Sequence, residues 1–515
     1  MTIFRGTSSA TAVRPLLLAP LLAIVCLALA SGPASARTQF FSRPFTLGHP
    51  RMNDVYGGAE VSGGYRTSAA ANDRGDLIVA WTAFPRHNRE DVQIAFRPAH
   101  GEFTTARTIF STRGGRRSPR VAIGDPLVAI DGAGNALVVF TEFTLGRHQT
   151  VKAAAVKAIY RLARGRLGRA QTLSPAGSND EAPAVAMAAS GEAVVVFQRD
   201  LPSSHSPLNS LDYPPVPDLV MAAVRAPGRR FGPATAISPP STRQTESFFV
   251  VPLAPSVVIT ASGEAIAAWS RVKHDSVAIE TSTRPPGGAF GPASRIGTGD
   301  GYNGAGGSDF IAIQPVGLAD DPSGDTVLAW RSPSPSPMYD YPQLDASYRQ
   351  AGKPFSTPQV LDPAVDTFSV AVDNLGTAAV LEDHADQDPA GCGGGGGLSV
   401  SRHPAGGEFG PAEELLANGG PFPGIVAYGP DRFISTWQDV YGQPDGGPSH
   451  DQCMLSYGDL SFATGSATSA FGEPSLLSTN PSAGLTSLVG TPSGLLLAVF
   501  NDRSTFFAKF GGPVR

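Results

Sequence analysis

Acidic, aromatic and histidine side chains occur together in four stretches rich in Gly and Pro, at residues 199–218, 332–342, 382–397 and 439–452. Aromatic rings stack on apolar faces and carboxylates accept hydrogen bonds, so such a mixture suits the binding of a sugar or a peptide. The alternative is a set of solvated loops without a ligand. The candidate ligand-binding residues are Asp200, His205, Tyr213, Tyr339, Asp340, Tyr341, Glu382, His384, Tyr441, His450 and Asp451.

Glu382 occupies a position that is aromatic in the seven other copies of a repeat described below. If it is buried, its pKa would rise and it could serve as a general acid. If it lies at the solvent-exposed end of a strand, beside a Gly-rich loop, the repeat does not require an aromatic residue at this position. The nearby Asp383, Asp386 and Asp388 offer oxygen ligands for Ca²⁺. Their spacing lacks the full Asp-x-Asp-x-Asp-Gly pattern, so the sequence predicts neither a metal site nor a cofactor.

Motifs for catalysis are missing from the sequence. It contains no Gly-x-Ser-x-Gly elbow, no His-Glu-x-x-His and no phosphate-binding loop. The formal net charge is −5, and no run of Lys or Arg is dense enough for a basic face, so nucleic acid is not an expected partner. These observations favour a non-catalytic protein and identify no catalytic residue.

The composition predicts an all-β protein. The chain of 515 residues contains 59 Gly and 46 Pro, which are too frequent for helices of about 12 residues or more to persist. The glycines have no three-residue period and there are no heptads, which excludes collagen and coiled coils.

A repeat dominates the sequence. In six copies a turn glycine precedes an aromatic residue by six positions: Gly75/Trp81, Gly134/Phe140, Gly191/Phe197, Gly263/Trp269, Gly324/Trp330 and Gly494/Phe500. Two further copies keep one of the two residues, Gly376/Glu382 and Asp431/Trp437. A second motif follows the aromatic residue, for example Phe231-Gly232-Pro233-Ala234. Each copy is interpreted as four antiparallel strands, and eight such copies predict a β-propeller of eight blades.

The last copy is incomplete, because the chain ends before a fourth strand can form. Residues 39–48 include Phe41-Ser42-Arg43-Pro44-Phe45, which matches the fourth-strand motif. We therefore expect the N-terminal strand to complete the last blade and close the ring, which makes residues 37–515 one domain.

Residues 1–36 have the features of a secretory signal. Arg5 and Arg14 precede an apolar stretch, and Ala34-Ser35-Ala36 resembles a signal peptidase site. No later segment is apolar for long enough to span a membrane as a helix, so a secreted, extracellular protein is predicted. After cleavage two cysteines remain, Cys392 and Cys453, and in an exported protein they suggest a disulfide. Two free thiols are the alternative.

The repeat resembles those of secreted bacterial β-propellers in the broad sialidase-like superfamily. The nearest string to a sialidase Asp box is Ser323-Gly324-Asp325-Thr326-Val327-Leu328-Ala329-Trp330, which lacks the internal glycine and lies in a different turn. Asp boxes are thus absent, the resemblance is one of architecture, and no catalytic residue is carried over from the family.

The sequence therefore predicts a secreted, monomeric, non-catalytic propeller. Its expected partner is an extracellular glycan, peptide or envelope protein, bound through the long loops between the second and third strands of the blades. A carbohydrate-active hydrolase or lyase that uses loop carboxylates is the first alternative. A structural protein of the cell envelope is the second.

Overall fold

The structure is a computed structural model. It describes residues 41–42, 44–48, 67–86, 89–112, 120–146, 151–175, 178–200, 218–240, 249–250, 255–273, 276–299, 310–311, 316–333, 342–384, 396–417, 420, 423–443, 454–479, 483–502 and 505–511. The predicted signal, residues 1–36, lies outside this set. All regular structure in the described residues is β. None of them forms a helix that is long and apolar enough to cross a membrane.

The strands in chain order are β1 (Phe45–Gly48), β2 (Ser68–Ala71), β3 (Leu77–Arg86), β4 (Arg89–Arg97), β5 (Arg107–Ser111), β6 (Arg120–Ile123), β7 (Leu127–Ile130), β8 (Ala136–Leu145), β9 (Val151–Arg161), β10 (Gln171–Thr172), β11 (Asn179–Met187), β12 (Ala193–Asp200), β13 (Asp218–Arg225), β14 (Thr235–Ala236), β15 (Phe249–Val250), β16 (Ser256–Ile259), β17 (Ala265–Lys273), β18 (Ser276–Arg284), β19 (Ser294–Gly299), β20 (Phe310–Ile311), β21 (Gly317–Asp320), β22 (Thr326–Ser332), β23 (Gln343–Arg349), β24 (Gln359–Asp362), β25 (Val365–Val372), β26 (Ala378–His384), β27 (Leu398–His403), β28 (Glu413–Leu416), β29 (Gly424–Tyr428), β30 (Arg432–Gln443), β31 (Met454–Ser466), β32 (Ser475–Ser478), β33 (Ala483–Gly490), β34 (Leu496–Asp502) and β35 (Thr505–Gly511).

These strands form four-stranded antiparallel groups, which we number as units in chain order. Unit 1 is β2 to β5, unit 4 is β16 to β19, units 5, 6 and 7 are β21 to β24, β25 to β28 and β29 to β32, and unit 8 is β33, β34, β35 and β1. Units 2 and 3, β7 to β10 and β11 to β14, belong to one nine-stranded sheet with β6, joined by a parallel pairing of Asn179 with Ala154. The short strands β15 and β20 pair with each other.

The units follow one another in a propeller-like arrangement. The first strand of each unit contacts the first strand of the next, from β2 through β7, β11, β16, β21, β25 and β29 to β33. β33 in turn contacts β2. At the outer edge of unit 8, β1 pairs with β35, with Phe45 opposite Ala508 and Thr46 opposite Phe507.

The second strand of each unit is buried on both faces, which explains its continuous apolar sequence. In β3, Leu77, Val79 and Trp81 pack against unit 8, whereas Ile78 and Ala80 pack against unit 2. The aromatic residue of the repeat always faces the preceding unit. The tryptophans and phenylalanines at this position, Trp81, Phe140, Phe197, Trp269, Trp330 and Trp437, are fully buried.

The repeated glycine is required by backbone geometry. Gly75, Gly324 and Gly376 have φ values of +90°, +102° and +79°, in the left-handed region that favours glycine. In unit 7 the sequence places Asp431 in this slot. That assignment is wrong, because the left-handed residue there is Gly429, with φ +66°. The first strand of unit 7 ends at Tyr428. The turn to the second strand therefore begins at Gly429, two residues before Asp431.

A polar contact recurs between neighbouring units at the end of the third strand. There a cation or an imidazole meets a ring or a carboxylate of the preceding unit, through a cation–π contact, a ring stack or an ion pair. The pairs are Arg161 with Phe96, Arg225 with Tyr160, Arg284 with Glu192, Arg349 with Glu264 and His403 with Tyr348. These contacts fix the rotation of one unit against the next.

The antiparallel order gives the molecule two distinct ends. The loop face carries the connections between the second and third strands, and the turn face carries those between the first and second and between the third and fourth strands. The long connections that the sequence singles out leave the strands at the loop face in units 3, 5, 6 and 7.

Candidate functional site

A group of polar side chains lies between units 5 and 6 at the loop face. We name it the His384 cluster: Asp362, Glu382, His384 and Ser399, with Asp383 beside them. Asp362 ends β24, Glu382 to His384 end β26, and Ser399 lies at the start of β27. Glu382 and Ser399 are cross-strand partners, so their side chains share one face of unit 6.

The alternation of side chains along β26 decides which residues meet. Ala378 and Val380 pack against unit 5, while Ala379 and Leu381 pack against unit 7. By the same two-residue period, Glu382 and His384 face unit 5 and Asp383 faces unit 7. The cluster therefore forms in the gap where the other units bury their aromatic residue.

His384 connects a carboxylate to a hydroxyl. Its Nδ1 lies 2.6 Å from Oδ2 of Asp362, and its Nε2 lies 2.7 Å from Oγ of Ser399. The other oxygen of Asp362, Oδ1, accepts a hydrogen bond of 2.8 Å from the Ala364 amide. Asp362 is almost completely buried, whereas the His384 side chain is 32% exposed, so solvent reaches the chain of hydrogen bonds through the imidazole.

The charges in the cluster depend on pH near neutrality. The hydrogen bond to Asp362 raises the pKa of His384 above its ordinary value, and burial opposes that change. A protonated His384 donates to both Asp362 and Ser399. A neutral His384 that keeps its proton on Nδ1 accepts a hydrogen bond at Nε2 from the Ser399 hydroxyl. The order Asp–His–Ser is the one that serine hydrolases use to activate a hydroxyl.

Glu382 is the most strongly buried acid of the cluster, with 0% of its surface exposed. Neither of its carboxyl oxygens makes a well-formed hydrogen bond to a described residue, although the hydroxyl of Ser401 lies close enough to lower its pKa somewhat. Burial is the larger effect and raises the pKa of Glu382 to about 7. Glu382 is therefore a buried acid whose charge its surroundings compensate poorly.

Asp383 lies on the other face of β26 and has a similar titration. Burial raises its pKa to about 7, against the opposing effect of a 3.1 Å hydrogen bond from the Thr367 hydroxyl to Oδ2. The sequence proposes Asp383 as a weak Ca²⁺ ligand. The described residues contain no group of three or more potential ligands that could hold a metal ion.

Three of the candidate residues, which the sequence places in loops, lie in strands. His384 belongs to β26, Asp200 ends β12, and Tyr441 belongs to β30, while Glu382 lies in β26 at the repeat position that the sequence gives it. The loop assignment is wrong because the hairpins continue past the aromatic position: Asp200 still pairs with Asp218, and Tyr441 with Ser456.

Asp200 has a structural role in β12. Its carboxylate accepts hydrogen bonds from the side-chain amides of Asn179 and Gln198. Asp200 belongs to unit 3, whereas the His384 cluster lies between units 5 and 6. The remaining candidates, His205, Tyr213, Tyr339, Asp340, Tyr341, His450, Asp451, Asp386, Asp388, Cys392 and Cys453, lie outside the described residues, so the predicted disulfide does too.

Asp362 and Ser399 are the members of the cluster that sequence reasoning missed. Both are common residue types without a motif around them. The one usable signal was the position of Ser399, which follows from pairing the second and third strands of the repeat in register.

The described residues also form a cleft that does not contain the cluster. It lies between units 2 and 3 at the turn face, has a volume of about 770 Å³ and is lined by five arginines.

A scan against models of known protein families finds no match, and neither does a search of curated protein sequences. Solved structures with a similar fold are distant. One is a protein of unknown function from Dyadobacter fermentans, 11% identical, which covers 66% of this chain and 94% of its own with a TM-score of 0.38.

Two carbohydrate-related structures are similarly distant. The Hadza microbial sialidase Hz136 is 11% identical and covers 71% of each chain with a TM-score of 0.35. A family PL25 ulvan lyase bound to -[GlcA(1-4)Rha3S]- is 11% identical and covers 72% of this chain and 91% of its own with a TM-score of 0.41. At these scores the similarity assigns no activity to this chain.

Proposed function

We propose that residues 37–515 form a secreted, eight-bladed β-propeller whose ring is closed by the N-terminal strand. Three observations support this architecture: eight four-stranded units, contacts between first strands that run from β2 to β33 and back to β2, and the pairing of β1 with β35. Export is supported by the signal pattern in residues 1–36.

We propose that this propeller binds an extracellular glycan at its loop face and does not transform it. The observation that carries this proposal is the His384 imidazole, which is 32% exposed and is held by Asp362 and Ser399. A ring fixed in this way offers an aromatic surface on which the apolar face of a sugar can pack. Rigid strands position the group, which keeps the entropic cost of binding low.

A non-catalytic role fits the accessibility of Ser399. This residue is only 5% exposed, so an incoming acyl carbon has little access to its Oγ. In this proposal Asp362 and Ser399 hold the His384 ring in one orientation, and the imidazole edge contributes to the ligand surface.

The first prediction concerns ligand binding by the mature protein. We expect the mature protein to bind one or more glycans of a printed panel, or isolated cell walls. Asp362→Asn should weaken that binding by about tenfold, because His384 loses the charge-assisted hydrogen bond that orients it. Binding is measured by biolayer interferometry.

Glu414→Gln is the matched control for Asp362→Asn. Glu414 is an exposed acid on β28, so this variant should bind like the wild type. Equal binding by both variants would remove the cluster from the ligand site.

The Asp362–His384–Ser399 chain favours hydrolysis of an ester as a second candidate function. A fluorophosphonate probe separates the two, because it labels only a serine whose hydroxyl is activated and accessible. Our proposal predicts no labelling at pH 8. Labelling that disappears in both Ser399→Ala and His384→Ala would replace binding by hydrolysis.

A further inference from the structure

The cleft between units 2 and 3 is built from turns at the turn face. The segments 162–168 and 228–231, between the third and fourth strands of these two units, line its sides. The segments 131–135 and 189–191, between their first and second strands, line the rest. A volume of about 770 Å³ falls within the range of small-molecule and oligosaccharide sites.

The charge of this cleft is opposite in sign to that of the chain. Five arginines line it: Arg166, Arg169, Arg225, Arg229 and Arg230. Its one carboxylate is Asp131, whose oxygens already accept hydrogen bonds from the Ala133 and Asn135 amides and from the Asn135 side chain. The chain as a whole has a formal net charge of −5. The cleft is therefore a local concentration of positive charge on an acidic protein.

Four of the arginines are available to a ligand. Arg166, Arg169, Arg229 and Arg230 are exposed, and none of them forms an ion pair with another residue that the structure describes. Guanidinium groups present planar forks of donors that match carboxylate and sulfate oxygens.

The base of the cleft is rigid. Arg225 is 4% exposed, its Nη1 donates to the Gly191 carbonyl at 2.8 Å, and its guanidinium lies 3.8 Å from the centre of the Tyr160 ring. Gln171 of unit 2 donates to the Phe231 carbonyl at 2.9 Å and accepts from the Phe231 amide at 3.1 Å. These contacts tie the two walls of the cleft together, so the backbone that carries the exposed arginines needs little rearrangement on binding.

We infer that this cleft binds an acidic oligosaccharide, through carboxylate or sulfate groups that pair with the exposed arginines. A chain of sugars fits because the lining alternates guanidinium groups with apolar and aromatic surface from Leu162 and Tyr160. A nucleic acid would need a longer basic track along its backbone than one cleft supplies. The inference does not rest on the proposed function, since the cleft and the His384 cluster lie on opposite faces.

Fluorescence polarisation with labelled oligosaccharides tests this inference on the mature protein. The probes are an oligogalacturonate, a sulfated heparin-derived tetrasaccharide, a neutral dextran oligomer and a single-stranded DNA oligonucleotide. We expect one or both acidic sugars to bind, with an affinity that falls as the salt concentration rises. The double variant Arg229→Gln/Arg230→Gln should weaken that binding by about tenfold or more, as expected for the loss of charge-assisted hydrogen bonds.

Arg164→Gln is the control. Arg164 is exposed in the turn of unit 2 at residues 162–168, which borders the cleft, but its own side chain does not line the cleft. It should change the affinity by less than about twofold. The unfolding midpoint of each variant shows whether it is folded. Four results would overturn the inference: no binding of either acidic sugar, equal binding of dextran, tighter binding of DNA, or equal losses in the control and the double variant.

Discussion

Replacement of Glu382 by glutamine should stabilise the protein by up to about 3 kcal/mol at pH 8 and have little effect at pH 4.5. Glu382 is completely buried, and burial raises its pKa to about 7 from an ordinary value of 4.5. Each pH unit between those two values corresponds to about 1.4 kcal/mol in favour of the unfolded chain once the carboxyl is ionised. Glutamine keeps the shape and removes the charge.

The sign follows from counting protons. Between about pH 4.5 and pH 7 the folded protein retains the proton on Glu382, while the unfolded chain releases it. Stability of the wild type therefore falls as the pH rises through this window and levels off above it. Asp383, with a pKa of about 7, and His384, with a raised pKa, act in the same direction. Both remain in the variant, so the difference between the two proteins reports the ionisation of Glu382 together with its electrostatic coupling to His384.

Urea unfolding at pH 4.5, 6 and 8 measures this effect. Glu414→Gln provides the control, since Glu414 is exposed on β28 and its removal should leave the pH dependence unchanged. A stability difference between Glu382→Gln and the wild type that is the same at all three pH values would mean that Glu382 does not titrate in this window.

Leu47→Ala should destabilise the protein by about 3 kcal/mol, although Leu47 lies in a strand of only four residues near the N-terminal end. Its side chain is 4% exposed and belongs to the core shared by units 8 and 1, with Trp81 and Val499. Truncation removes apolar contacts and leaves a cavity. The pairing of β1 with β35 would weaken as a consequence.

Leu375→Ala is the matched control, since Leu375 is 60% exposed. Its effect should stay within about 0.5 kcal/mol. Urea denaturation of both variants at one pH gives the comparison. Equal, small effects would show that the N-terminal strand is not docked in solution, and the proposed closure of the ring would fail with it.

Much of the fold was readable from local patterns. The composition predicted an all-β protein, and the four-stranded antiparallel units confirm it. The spacing of Gly75 and Trp81, repeated along the chain, located the second strands because glycine is needed for a left-handed turn and a large ring for the gap between sheets. The loop assignment of His384 was wrong because no residue signals where a hairpin stops pairing.

The sequence by itself determined the repeat, the strand order within each unit and the odd residue, Glu382. All of these follow from residues that are close along the chain, where periodicity and turn geometry act. Only the tertiary structure decided that Asp362 of one unit meets His384 of the next, and that arginines from two separate turns line one cleft. Such contacts between units depend on how one twisted sheet packs on its neighbour. The spacing of side chains along a strand does not encode that packing.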